Sequence, residues 1–99
     1  MTGFIVRVEL HNAVSTDYDK LHLQMQARGF TRNIKSGDGD VYELPPAEYE
    51  FIGNQTRSQV LELAKAAAAI VKPSYAVVVT EYVGVTWSGL KKVAAARRV

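Results

Sequence analysis

His11 and Glu9 stand two residues apart, where an alternating run of apolar and polar residues from Phe4 to Leu10 comes to its end. Alternate side chains of an extended strand share a face, so this spacing sets an imidazole beside a carboxylate if the strand continues to His11. A histidine oriented by a carboxylate is a general acid-base pair that works near neutral pH. Such a pair can take the proton of an RNA 2′-hydroxyl as that oxygen attacks the neighbouring phosphate, a reaction that needs no metal. The plain alternative is a surface histidine at a strand end. Arg7 falls on the same face by the same spacing, and Arg32 and Lys35 add positive charge that can hold phosphate. The alternative for Arg7 is an ion pair with a cross-strand acid such as Glu43. Tyr42, Tyr49 and Tyr82 can stack on bases where they point outward, or else complete the core or an interface.

Other chemistries find no motif. A zinc-protease helix, a nucleophile elbow and a phosphate-binding loop are missing from the sequence. The string Gly37-Asp38-Gly39-Asp40 has carboxylates of a calcium loop but lacks its remaining alternating ligands and closing glutamate, and reads as a hairpin turn. His22 lies near the Tyr18, Leu21, Met25 stripe and reads as a boundary residue of a helix. No metal site and no small-molecule cofactor is expected.

The 99 residues suffice for one domain with one core. At 47% hydrophobic and 22% charged, the composition is that of a soluble globular domain, and no apolar run approaches the length a bilayer requires, so no membrane contact is expected. Met1 leads straight into strand-like residues, without a basic segment, an apolar stretch and a small-residue cleavage site, so no secretory leader is expected. Zero cysteines remove disulfides and thiolate metal sites and fit a reducing, cytoplasmic setting. The formal charge is +2, yet Lys91, Lys92, Arg97 and Arg98 hold four of the twelve basic residues, which leaves eight against ten acidic ones up to Leu90. Phosphate binding by the body must therefore come from a local patch. Asp38, Asp40, Glu43, Glu48 and Glu50 make the hairpin region acidic, so an RNA backbone should avoid that end.

The elements that must hold these residues follow from periodicity. Phe4, Val6, Val8 and Leu10 alternate with Ile5, Arg7 and Glu9, which predicts a strand whose even positions face the core. Ser15, Thr16 or Asp17 can cap a helix that carries the Tyr18, Leu21, Met25 stripe and ends at Arg28 and Gly29. Phe30 to Lys35 and Val41 to Leu44 predict a strand pair with Asp38-Gly39 as a type I′ turn. Pro45 and Pro46 interrupt it, and alternation resumes over Glu48 to Ile52, which predicts one bent or bulged third strand. Thr56 and Gln59 make a capping box for a second helix. Val60, Leu61, Ala64, Ala67, Ala68 and Val71 form its buried side, and Lys72-Pro73 stops it.

Tyr75 to Tyr82 is the last core strand, and the resulting β-α-β-β-α-β order is the split βαβ plan. That plan is α+β, a sandwich of one antiparallel sheet with both helices on one face. It leaves Tyr75 to Tyr82 at an edge beside the first strand, where its nearly uncharged length invites pairing. Residues 1–82 form the domain and 83–99 an extension, in which Val83, Val85 and Trp87 alternate and can add a fifth strand to this sheet or to a partner's. Ala94 to Ala96 with flanking bases read as a short solvated helix or a frayed end, the bases adding at most nonspecific phosphate contacts.

Several of these segments together resemble a family. The run Gly3-Phe4-Ile5-Val6-Arg7-Val8-Glu9-Leu10-His11, then Leu21 through Arg28-Gly29-Phe30-Thr31-Arg32, the Tyr42-x-Leu44-Pro45 and Glu48-Tyr49 steps, Gly53-Asn54-x-Thr56-Arg57 and Val60-Leu61-Glu62-Leu63-Ala64 resemble small bacterial proteins grouped with the GhoS antitoxin. The resemblance implies a ferredoxin-like endoribonuclease antitoxin of a type V toxin-antitoxin system, acting on the single-stranded mRNA of a small membrane toxin. The family is similar in fold to CRISPR-associated adaptation nucleases, whose paired subunits often exchange C-terminal strands, which implies a homodimer. Those nucleases carry an aspartate near the end of the first strand as a metal ligand. Glu9 and His11 stand there in this chain, so metal-independent cleavage is expected. The matching positions set the fold and carry over no catalytic residue. His11 and Glu9 as the catalytic pair, and Arg7, Arg32 and Lys35 as RNA contacts, rest on chemistry and position. The alternative function is a non-enzymatic homodimeric interaction or regulatory module of the same fold.

Overall fold

Strict alternation along the first strand decides which way the main sheet faces. In β1 (Thr2–Leu10), Phe4, Val6, Val8 and Leu10 are buried while Arg7 and Glu9 stand in solvent. The structure, a computed structural model, describes residues 1–94. After β1 come α1 (Ser15–Gln26), β2 (Asn33–Lys35), β3 (Val41–Glu43), β4 (Glu48–Gly53), α2 (Arg57–Val71), β5 (Tyr75–Tyr82) and β6 (Lys92–Ala94). The fold is α+β, with two antiparallel three-stranded sheets in the orders β4-β1-β5 and β2-β3-β6. The helices cover the inner face of the first sheet, where Phe4, Val6 and Val8 meet Leu21 and Met25 of α1 and Val60, Ala64, Ala67 and Ala68 of α2. Three buried alanines on one helix let its backbone lie close to the sheet.

Caps set both helix starts. Thr56 and Gln59 exchange the bonds of a capping box, Gln59 N–H donating to Thr56 Oγ1 at 3.1 Å and Thr56 N–H to Gln59 Oε1 at 2.8 Å. α1 differs from expectation, because Val14 and not a residue of the Ser15 to Asp17 group occupies the cap position. Asp17 instead reaches back to accept the Val14 N–H at 3.0 Å and pairs with Lys72 at 3.4 Å. The Val14 N–H above all, with Lys72 beside it, holds the Asp17 carboxyl below the usual range.

The expected single third strand is two strands in different sheets. Pro45 and Pro46 have no N–H to give a ladder, and the chain turns there, Glu48 N–H donating to the Pro45 carbonyl at 3.1 Å with Ala47 at φ 70°. The turn swings β3 away from the main sheet. A bridge between Thr31 and Glu50, with N–H to carbonyl bonds of 2.9 and 2.8 Å, ties the start of the hairpin back to β4. Proline second and a positive φ third define a type II turn, which favours glycine at the position Ala47 holds. A Cβ in this conformation costs about 1–2 kcal/mol, partly offset by the smaller unfolded-state freedom of alanine. Ala47→Gly is therefore expected to stabilise the chain by about 0.5 kcal/mol, read as a higher urea midpoint. A lower midpoint would mean that the turn is not strained.

The hairpin turn also differs from the type I′ form. Gly37, Asp38 and Gly39 make a three-residue loop, in which Gly39 N–H donates to the Ser36 carbonyl at 3.0 Å and Ser36 N–H to the Asp40 carbonyl at 2.8 Å. Gly39 has φ 91°, whereas Asp38 is not at positive φ. The Ser36 hydroxyl donates to the Asp38 carboxylate and stabilises this alternative, in which a single residue needs the left-handed region.

Beyond β5 the alternation over Val83, Val85 and Trp87 forms no strand; Trp87 packs edge-on against Tyr42 with ring centroids 5.4 Å apart. Pairing resumes at β6, which joins β3 of the hairpin instead of the main sheet, aided by the Glu43 N–H to Lys91 carbonyl bond at 2.8 Å and the Lys92–Asp40 ion pair at 3.3 Å. Ala94 thus ends a strand, while Ala95, Ala96, Arg97 and Arg98 lie outside the described residues. Among the described residues β5 keeps one unpaired edge, and no helix is long and apolar enough to cross a membrane.

Candidate active site

Pairing between β1 and β5 runs one residue past the end of β1, since the His11 N–H donates to the Ser74 carbonyl at 3.1 Å. That bond keeps His11 in line with Glu9, and His11 Nε2 lies 3.3 Å from Glu9 Oε1. The same pairing brings up Ser74, whose Oγ is 2.7 Å from His11 Nδ1. In the tautomer with its proton on Nε2, the ring donates to Glu9, and Nδ1 accepts from the Ser74 hydroxyl. Glu9, His11 and Ser74 then form one hydrogen-bonded chain, in which the carboxylate orients the imidazole and the hydroxyl can relay a proton to it. The His11 and Glu9 side chains are 43% and 63% exposed, so a bulky substrate can reach them.

Arg7 stands on the same outer face, level with Glu48 on β4 and Val78 on β5. With Glu9, Ala76 and Val78 it lines a hollow of about 140 Å³. Glu43, the acid weighed as a partner for Arg7, is bound by Arg32 instead, Nη2 to Oε1 at 3.3 Å.

The other two cations have different surroundings. The guanidinium charge of Arg32 acts on His22 and Tyr49, and its Nε is buried without a hydrogen-bond partner among the described residues. His22 Nδ1 is 2.7 Å from the Tyr49 hydroxyl. Burial first, and then the Arg32 charge, hold the His22 imidazole below its ordinary range; burial holds the Tyr49 phenol above its own. His22 is the helix-boundary residue expected, bonded to a core tyrosine. Lys35 lines a second pocket, of about 360 Å³, together with Tyr42, Glu50, Tyr82 and Trp87. The structure thus joins Glu9 and His11 and sets Arg7 on their face, while Arg32 and Lys35 serve other neighbourhoods. Of the tyrosines, Tyr49 is core, and Tyr42 and Tyr82 are half-buried at the second pocket.

Ser74 is the residue that sequence reasoning missed. It lies 63 residues from His11, and its one local signal is a place just after the Pro73 helix stop, next to the start of a strand. Among the described residues no group of three or more histidine, aspartate and glutamate side chains is arranged to hold a metal ion. No protein-family model matches the chain, and no curated protein gives a significant match.

Proposed function

We propose that this chain is a metal-independent endoribonuclease of the antitoxin type, built on a ferredoxin-like domain and directed at the single-stranded mRNA of a small membrane toxin. The observation that carries the chemistry is the Glu9–His11–Ser74 chain on an open sheet face beside Arg7. The ferredoxin-like reading is supported by the β4-β1-β5 order under two helices, with the Thr31–Glu50 bridge bringing the hairpin next to β4.

In the proposed reaction the Ser74 hydroxyl gives its proton to His11 Nδ1 as it takes the proton of the 2′-hydroxyl. The 2′-oxygen bonds to phosphorus, and the bond from phosphorus to the 5′-oxygen breaks. The 5′-oxygen leaves with a proton from water, and His11 later returns its proton to solvent. Glu9 stabilises the imidazolium that forms, and Arg7 offsets the negative charge that builds on the phosphate oxygens. The test is incubation of the purified protein with mixed single-stranded RNA in EDTA. The expected products end in a 2′,3′-cyclic phosphate and a 5′-hydroxyl; intact RNA, or cleavage that waits for a divalent cation, overturns the proposal.

A second reading, a homodimeric interaction module, is favoured by β5. Its outer edge is unpaired among the described residues, it carries one charged side chain, Glu81, and Val78 is 60% exposed. Light scattering on the eluted protein is expected to give the mass of a dimer, and a monomer at high concentration would remove this reading.

A further inference from the structure

Glu50 is the one charged residue buried among those described, at 6% exposure, and none of the ion pairs found there includes it. On β4 it alternates with Tyr49 and Phe51, so it faces the outer side of the main sheet, where the hairpin, Tyr82 and the segment after β5 surround it. A carboxylate so enclosed needs strong donors. Tyr82 supplies one, its hydroxyl donating to Glu50 Oε2 at 2.5 Å. To do so the Tyr82 ring reaches from β5 across β1 over Gly3, where a Cβ would come within 2.4 Å of the ring. Burial and this bond push the Tyr82 phenol up to about 12, so it stays a donor at any physiological pH. Oε1 accepts no hydrogen bond among the described residues, and Glu50 lines the 360 Å³ pocket with Lys35, Ser36, Tyr42, Tyr82 and Trp87.

We propose that this pocket binds a guanine-type base, a flat ring with two adjacent N–H donors, through Glu50. A carboxylate matches two parallel donors, and the Tyr42, Tyr82 and Trp87 rings form a wall suited to a flat heterocycle. Lys35 counts against a simple organic cation and in favour of a ring that also carries an acceptor, as guanine does at O6. The acidic hairpin disfavours a phosphate but not a neutral base. This inference rests on the nuclease reading for its biological sense. Ile5, the register partner of Glu50, lies about 20 Å along β1 from His11, so the base held here is several nucleotides from the phosphate that is cut.

Trp87 is the only tryptophan, so its emission reports on this pocket directly. Titration with the four neutral nucleosides is expected to give a saturable change with guanosine below about 1 mM, and binding at least about tenfold weaker for adenosine, cytidine and uridine. Because Glu50→Gln can fail to fold, 1-methylguanosine, which lacks one of the paired donors, tests the same bond on the unaltered protein and should also lose at least about tenfold. No saturable change with any nucleoside, equal binding of all four, undiminished binding of 1-methylguanosine, or tighter binding of agmatine than of guanosine would each overturn the proposal. Binding is read without cleavage: guanosine binding with intact RNA keeps the pocket and overturns the nuclease, and cleavage without guanosine binding does the reverse.

Discussion

His11→Ala is expected to lower RNA cleavage by roughly two to four orders of magnitude, the usual contribution of a positioned acid-base group, while leaving the fold intact. Its ring is 43% exposed and makes its two polar contacts with Glu9 and Ser74, at the surface, so stability should move by no more than about 0.5 kcal/mol. Glu9→Gln keeps the shape and most of the packing but removes the charge that favours the imidazolium, so its loss should be smaller. Ser74→Ala separates two forms of the mechanism. A loss close to that of His11→Ala means that the proton passes through the serine hydroxyl, and a small loss means that the 2′-hydroxyl meets Nδ1 directly. A His11→Ala protein as active as the original would remove His11 from the chemistry altogether.

Phe4→Ala should cost about 3–5 kcal/mol, because it removes a wholly buried ring and leaves a cavity that rigid neighbours cannot fill. Phe4 sits in the middle strand of the main sheet and meets Phe51 of β4 at a centroid distance of 6.2 Å. A chain of this length has about 5–15 kcal/mol in total, so a fall of about 15 °C or more in melting temperature is expected. Val78→Ala is the control, since Val78 is on the outer face of β5 and 60% exposed; it should change stability by less than about 0.5 kcal/mol. Comparable losses for the two would mean that the outer face is covered in solution, as a dimer through that face would do.

The parts of this molecule that local pattern could reveal are those whose partners lie a few residues away. Alternation over Phe4 to Leu10 announced β1 and its inward face, and the Thr56 and Gln59 pair announced the start of α2. The Tyr18, Leu21, Met25 spacing likewise announced α1, with Tyr18 also accepting the Leu10 N–H at 3.0 Å. Where the reading and the structure part, a local signal is overridden by another contact. The Asp38-Gly39 pair suits a type I′ turn, yet Ser36 holds the Asp38 carboxylate and a longer loop forms. Alternation over Val83 to Trp87 suits a strand, but the segment forms none and its Trp87 ring packs edge-on against Tyr42 of β3, a contact distant in sequence.

The sequence by itself determined β1 with its inward face, the two helices and the adjacency of Glu9 and His11, because each depends on spacings of two to four residues that backbone geometry converts directly into shared faces. Tertiary structure alone decided the rest of the candidate chemistry. Ser74 meets His11 because β5 pairs antiparallel with β1, and Glu50, on a face that alternation marks as outward, is enclosed among the hairpin, Tyr82 of β5 and the segment after β5. Contacts between residues so far apart depend on which edges and faces remain free once the core has closed, and no short window of sequence contains that information.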